Sequence, residues 1–556
     1  MMLAHSLPSR RLEPRQYDCG SIEVASSSVN IVENGNEVSV ALELSEQDGD
    51  PYWTKTGSWT MGLDPLGLQA TSIRIYQSLV PNITNITNRL RYYAYFPWLI
   101  ELYEKKHHSD DPARFARFMR RGEALYALAT VVNDMDGSDG LGGANWANQQ
   151  RDVARSNGID FRPFTDDRTS EKTYLQAARG NYGAAYAPTL TEMGWLTASS
   201  VPVTQGQGQL VSSAFAGSIG PIADEIETVL LSGTATSQQL QNIGTAIHPA
   251  HIPHGSPEQA ALREFLLGQR DQSKASLARR ASIWLVLDLY RNGIEPGDID
   301  GLRQALYTRA LPNGQPYQPP GKTVDRWRAY QANEYGHIAL ECALNGLVGL
   351  QHESYTNGIE PRQLVAKLVD EAIPQNTSTW SDWAKALVGL ADNDEALHAE
   401  VVLENLRSGL QPTPETLLDA FKLLGILWAK WAENDGNVRP IIAAAAGRDG
   451  RSLDGILRTL DTARQEPVQQ AIAAVLFRHI IIDHQIIAGR KLSAAGTFTY
   501  HFLVEDGLLS EGRLGEYGYT TPRLFNLTRV LRDAGYLHAS GVTADGEAFL
   551  EQNQPL

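Results

Sequence analysis

Apolar positions recur along this chain with two periods, and the helical one dominates. Between Tyr92 and Lys105, Tyr92, Tyr95, Phe96, Leu99, Ile100 and Tyr103 fall three or four residues apart, which gathers them on one broad helical face. Pro97 lies inside this run, where its missing N–H predicts a kink or a new helix start. The same spacing predicts a helix over Pro112–Val132, with Pro112 suited to the first turn. Others are expected over Glu258–Leu267, Lys274–Arg291 and Val324–Gly349, and further along at 361–373, 380–391, 394–408, 414–434 and 465–491.

Alternation with period two is confined to Glu37–Leu44 (EVSVALEL) and Thr497–Val504 (TFTYHFLV), which read as strands. Thr520–Gly535 reads as a capped helix, with Thr520 or Thr521 at the N-cap, Pro522 at the first position and Gly535 past the end. A short strand, a turn and a helix start follow, the order of a winged-helix module. The expected fold is therefore mainly α, a multi-helix body with a small N-terminal β element and a C-terminal winged-helix-like module. Low-charge Gly/Ser/Thr/Gln sequence near 198–220 and the proline-rich Leu311–Lys322 mark junctions. They divide the chain into a polar segment 1–48, helical regions 49–200, 201–320 and 321–495, and the C-terminal module 496–556. A length of 556 residues accommodates several such units. No fixed-period repeat is present.

Composition narrows the class. With 42% hydrophobic and 20% charged residues the chain can bury large cores, yet no run approaches 18 apolar residues, so no membrane span is expected. The first 20 residues are broken by Pro8 and Pro14 and lack an apolar core, unlike a secretory signal. Cys19 and Cys342 are far apart, which suggests reduced thiols and a cytoplasmic protein. A net charge of −16 opposes coating nucleic acid and leaves DNA contact only as a local function.

Candidate chemistry is scattered. Glu334, His337 and Glu341 share one helical face, and Glu-x-x-His is half of the motif that holds metals in carboxylate bundles. The other half-motif is Glu395–His398. His248, His251 and His254 form HPAHIPH, a short histidine tract of metal-binding type, although two prolines keep it extended. Asp134, Asp136 and Asp139 resemble a calcium loop, but glycine falls at the fourth position rather than the sixth. For each of these a polar seam, a connector or a solvated turn is the competing explanation, and no cofactor is expected.

Arg114, Arg117, Arg120 and Arg121 recur on one helix as a stripe for partner contact, with Glu101, Glu104, Asp110 and Asp111 close by. Arg523, Asn526 and Arg529 lie opposite Leu524, Leu527 and Leu531, the division that a DNA-recognition helix needs. RHIIIDHQIIAGRKL (478–492) places His479, Asp483 and His484 where acid–base chemistry or a buried helix with one polar edge are both open. Walker A, Gly-x-Ser-x-Gly, His-Glu-x-x-His and Cys-x-x-Cys sequences are absent.

One stretch carries a family signature: Asp64, Leu66, Gly67, Pro81, Thr87, Arg89, Arg91, Tyr92, Tyr93, Pro97 and Trp98. This run resembles the N-terminal region of uncharacterised bacterial proteins encoded in anti-phage defence or restriction-like gene clusters, beside ATPases, helicases or nucleases. Asn82 stands where glycine is usual, and RHIIIDHQIIAGRKL matches loosely. The resemblance implies a defence context and no reaction; the function expected within it is a non-catalytic sensor or adaptor subunit that docks an ATPase or nuclease partner, and for Arg89 and Arg91 partner or ligand contact competes with buried ion pairing. It carries no catalytic residue. The alternatives from other classes are a DNA-binding regulator acting through the C-terminal helix and a metal-dependent enzyme using the Glu-x-x-His site.

Overall fold

The computed structural model describes residues 30–33, 36–39 and 64–556, apart from short stretches at 135–138, 167–172, 269–270, 374–377, 389–394, 432–436, 496 and 556. The chain separates into two units, Met1–Ser58 and Trp59–Leu556. In the first, β1 (Asn30–Glu33) pairs antiparallel with β2 (Asn36–Ser39). Residues 40–44 of the expected strand lie outside the described residues, as do Cys19 and Asp136.

The second unit is mainly helical. Its elements of interest are α1 (Gln69–Leu79), α2 (Tyr92–His107), α3 (Pro112–Asn133), α4 (Ser237–Ile247), α5 (Pro257–Leu267), α6 (Lys274–Arg291) and α7 (Ile299–Thr308). They continue with α8 (Thr323–Ser354), α9 (Glu395–Ser408), α10 (Pro414–Trp431), α11 (Val468–Leu476), α12 (Asp483–Ala495) and α13 (Leu524–Asp533). A π-helical turn, Phe477–Ile482, joins α11 to α12. Between α12 and α13, β3 (Leu503–Glu505) and β4 (Leu508–Ser510) form a small hairpin. The junctions expected near 200, 320 and 495 fall inside this one compact unit.

α2 runs through Pro97 without restarting. An internal proline costs about 3 kcal/mol, but the face it sits in is packed tightly enough to hold the helix. The Tyr92 and Phe96 rings stack at 5.1 Å, and Tyr126 lies 4.8 Å from Tyr92. Aromatic pairs of this kind add roughly 0.5–1.5 kcal/mol each beyond their burial. α8 is the axis of the second half and is buried on every side, with polar residues such as Asn333, Glu334, His337, Glu341 and Asn345 among the enclosed ones. The continuous helix Val468–Ala494 is long and apolar enough to cross a membrane by length and composition, and 56% of its most apolar window is buried within the protein, as in a core helix.

Close helix packing explains one glycine. A Cβ at Gly244 on α4 would lie 2.1 Å from the Ala129 carbonyl oxygen on α3, so the two backbones touch only because glycine is there. Gly244→Ala is expected to force the helices apart and cost roughly 1–3 kcal/mol, measurable as a lower urea midpoint.

The C-terminal residues are knitted into the body. Trp284 on α6 donates to the Leu550 carbonyl at 2.9 Å, and the Tyr290 and Thr528 hydroxyls lie 2.6 Å apart. The helix begins at Leu524, later than the threonine caps predict, and Arg523 precedes it in left-handed geometry, φ 61°. Residues 497–502 are not strand, so the hairpin starts only at Leu503.

Candidate functional site

Three distant segments meet in the interior around α8: the Asp64-Pro65-Leu66-Gly67 turn, the α12 helix, and residues 501–520. The spacing 334, 337, 341 sets Glu334, His337 and Glu341 on the face of α8 that looks toward this junction, and all three are fully buried. His337 Nε2 lies 2.8 Å from Glu341 Oε1, and its Nδ1 lies 3.8 Å from Glu334 Oε1. The Gln69 carboxamide approaches Nε2 at 3.1 Å. Glu334 Oε2 accepts from the Thr520 N–H at 2.5 Å. Burial alone would lower the His337 pKa, but Glu341 and then Glu334 outweigh it and hold the imidazolium at about 9. Glu334 Oε1, His337 Nδ1 and Glu341 Oε2 have no hydrogen-bond partner, an unusual concentration for a protein interior.

The surrounding groups are arranged by backbone contacts. Asp64 caps α1 by accepting from the N–H groups of Gln69 and Ala70 at 3.1 and 3.3 Å. Its own carbonyl takes the Lys491 ammonium at 2.9 Å. His484 donates through Nδ1 to the Pro65 carbonyl at 3.1 Å and accepts the His501 N–H at 2.8 Å on Nε2, which fixes a neutral tautomer. Burial, with His501 nearby, pushes His484 down to about 3, and burial pushes His501 to about 4. Burial thus favours the neutral form of His484 and His501, whereas the flanking carboxylates favour the protonated form of His337, although burial also raises Glu341. Beside this centre, Asp483 binds Arg451 at 3.1 Å, Arg478 at 2.9 Å and His479 at 3.3 Å. Burial would raise the Asp483 carboxyl, but His479 and the two arginines hold it below its usual value. Perturbed groups gathered at one junction make it the candidate functional site, and a π-helical turn lies immediately before Asp483.

The candidate metal ligands do not converge. Glu395 accepts from the Tyr307 hydroxyl and the Lys430 ammonium, each at 2.8 Å, and His398 lies 2.8 Å from Asp419 on α10. The second half-motif is committed there and does not face Glu334 and His337. In HPAHIPH the His248 and His251 rings stack 4.1 Å apart, His248 contacts Asp134, and His254 is 80% exposed. Among the described residues no three His, Cys, Asp or Glu side chains are placed to hold a metal ion.

That histidine tract has another role. Its backbone carbonyls at His248 and His251 accept from Arg91 Nη1 at 3.0 and 3.4 Å, while Glu258 in the first turn of α5 binds Arg91 through both oxygens at 2.8 and 2.9 Å. Arg89 binds Asp533 at 2.8 Å, and the same carboxylate accepts the Leu90 N–H at 3.0 Å. Both arginines are buried in ion pairs within the chain, the second of the two readings open for them, and neither is placed on a surface for a partner. Of the α3 stripe, Arg114 is exposed and Arg117 half-buried, whereas Arg120 is buried and Arg121 binds Asp166 at 2.9 Å and the Leu230 carbonyl at 2.8 Å. The stripe is not one surface.

The DNA-reading face is corrected. Arg523 is buried and donates to the Val80 carbonyl at 3.0 Å. Asn526 is buried against Asn88 and Asn85, at 2.6 and 3.3 Å, and Arg529 binds Asp139 at 2.5 Å. A recognition helix must present such side chains to a groove; here Arg523 and Asn526 fasten the start of α13 to residues 80–88, and Arg529 pairs with Asp139.

One open feature had no signal in the sequence. α7, α8 and α9 border a groove of about 600 Å³, with Asp300, Arg303, Tyr335 and Tyr519 on one side and Glu400, Glu404 and Arg407 on the other. The Arg303 guanidinium stacks 3.7 Å over the Tyr519 ring and binds the Gln331 carboxamide at 3.0 Å. Fold and sites together define a mainly helical protein built around a buried polar centre, with an open charged groove beside it. No protein-family model, no curated protein and no solved structure matches the chain.

Proposed function

We propose that the protein is the sensor or adaptor subunit of a multi-protein defence assembly of the anti-phage kind, and that it docks an ATPase or nuclease partner along the α9 groove. The observation that carries this reading is the surface of α9. Ala396, Glu400, Leu403, Glu404 and Arg407 follow one helical stripe into the groove. Leu397 and Val401 stand on the adjacent stripe, 52% and 42% exposed. Two apolar residues one turn apart, edged by Glu400 and Glu404, fit a partner helix that carries apolar anchors flanked by lysine or arginine.

The test is co-expression with the proteins encoded by the genes that flank this one. Leu397→Asp with Val401→Asp is expected to abolish co-purification while leaving the circular dichroism and melting temperature unchanged, because both side chains face solvent. Undiminished co-purification of the double variant would remove α9 as the docking surface.

A further inference from the structure

Below the polar centre, a cavity of about 110 Å³ is bordered by Asp64, Gly67, Arg74, Arg451, Ile487 and Lys491, with Ala70 and Ala446. Its position joins the two stretches that carry the family resemblance, Asp64–Gly67 and the 478–492 segment. Three of its eight lining residues are basic and one is acidic, in a chain whose net charge is −16. The concentration of positive charge is therefore local and opposed to the field of the whole molecule.

We propose that this cavity binds a small oxyanion, either inorganic phosphate or the terminal phosphate of a nucleotide. Arg74 stands at the mouth, exposed, its guanidinium held by the neutral carbonyls of Ala445 and Ala446 at 2.9 and 3.0 Å. Arg451 forms the buried wall and is oriented by Asp483 at 3.1 Å. Lys491 is positioned by the Asp64 carbonyl at 2.9 Å. The lining carboxylate Asp64 is turned to the first amides of α1, and Asp483 pairs with Arg451 from behind the wall, so three basic groups stand against two carboxylates around the cavity. Two guanidinium groups and one ammonium group lining a single cavity suit a tetrahedral anion with several acceptor oxygens.

Gly67 supports the same reading. Its φ is +75°, and a Cβ there would lie 2.8 Å from both Arg451 Cδ and Ile487 Cδ1. The turn therefore runs with its bare backbone against the cavity wall, and a side chain at this position would displace Arg451. The volume equals roughly three or four waters of liquid, enough for one oxyanion and too small for a nucleoside, so a nucleotide would enter only by its terminal phosphate through the Arg74 mouth. An anion in place would also reach the buried carboxylates electrostatically, because Lys491 is coupled to both Asp64 and Glu341. This inference goes beyond the docking reading and stands without it.

The experiment is calorimetric titration of the isolated full-length protein with potassium phosphate at constant ionic strength, and separately with ATP and ADP. Saturable phosphate binding is expected, weakened about tenfold or more in Arg74→Met, the loss anticipated for one charge-assisted contact. Arg74 is exposed, so that variant should stay folded with at most a small drop in melting temperature from the two lost bonds to Ala445 and Ala446; Lys491→Met provides a second arm. Tighter binding of ATP than of phosphate, lost in the same variants, would assign the nucleotide as the source, and phosphate binding alone would assign the free ion. No saturable binding of any of the three, or equal affinity in Arg74→Met and wild type, would overturn the proposal.

Discussion

Arg91→Met is expected to cost about 3–5 kcal/mol, the range found when one member of a buried ion pair is removed. The reason lies in what remains. Arg91 and Glu258 are both wholly inaccessible, and the guanidinium makes two parallel bonds to the carboxylate and two more to the carbonyls of His248 and His251. Methionine fills the space but leaves a buried charge and removes the Arg91 donor from the His248 and His251 carbonyls, of which His248 keeps the His251 N–H at 3.1 Å. Since a protein of this kind has only about 5–15 kcal/mol in all, the urea midpoint should fall steeply. Arg91→Met with Glu258→Leu should recover most of the loss, because the charge is then gone with its partner. A single variant within about 1 kcal/mol of wild type would show that the pair does not bear on stability as argued.

Arg89→Ala should cost less, and the contrast is itself a check. Burial pushes Asp533 up to about 6 even though Arg89 opposes it, so the carboxyl can take up a proton at little expense once Arg89 is lost. Variants at either arginine that lose partner binding must therefore be compared with wild type at equal folded fraction before a contact role is inferred.

The helical frame was legible because it depends on local spacing. The face Tyr92, Tyr95, Phe96, Leu99 and Tyr103 is buried, and the predicted 324–349 helix is the core of α8. Spacing also placed Glu334, His337 and Glu341 together. It could not show what they would meet, since Thr520 lies 186 residues from Glu334 and Gln69 lies 268 from His337. The histidine tract was misread for a different reason. Its structural work is done by backbone carbonyls, and a carbonyl leaves no mark in the sequence. Arg523, Asn526 and Arg529 show a third limit: polarity opposite a leucine stripe predicts an outward face only where no other element covers it, and here Asn85, Asn88 and Asp139 do. The groove beside Arg303 joins α7, α8, α9 and Tyr519, a juxtaposition with no local pattern at all.

His337 should make the stability of the whole protein depend on pH through the alkaline range. Its ordinary value is 6.5, and in the fold the flanking carboxylates raise it to about 9. A folded value above the unfolded one means that the fold binds the proton more tightly. The contribution is then fully present below about 6.5, shrinks as the pH rises toward 9, and is absent above it. The difference corresponds to about 3 kcal/mol. Other groups titrate in the same window, among them Glu123, pushed by burial to about 8 despite the amides of Tyr182 and Asn181 that favour its charge. The wild-type curve alone is therefore ambiguous, and the informative quantity is the difference from His337→Gln, which cannot be protonated. At pH 7 the variant should be less stable by about 3 kcal/mol, since Glu334, Glu341 and Asp64 then lack the imidazolium charge. At pH 10, where wild-type His337 is neutral as well, the two proteins should differ little. Urea denaturation at both pH values decides it: an equal penalty at pH 7 and pH 10 would mean that packing, and not the charge held between two carboxylates, is what His337 contributes.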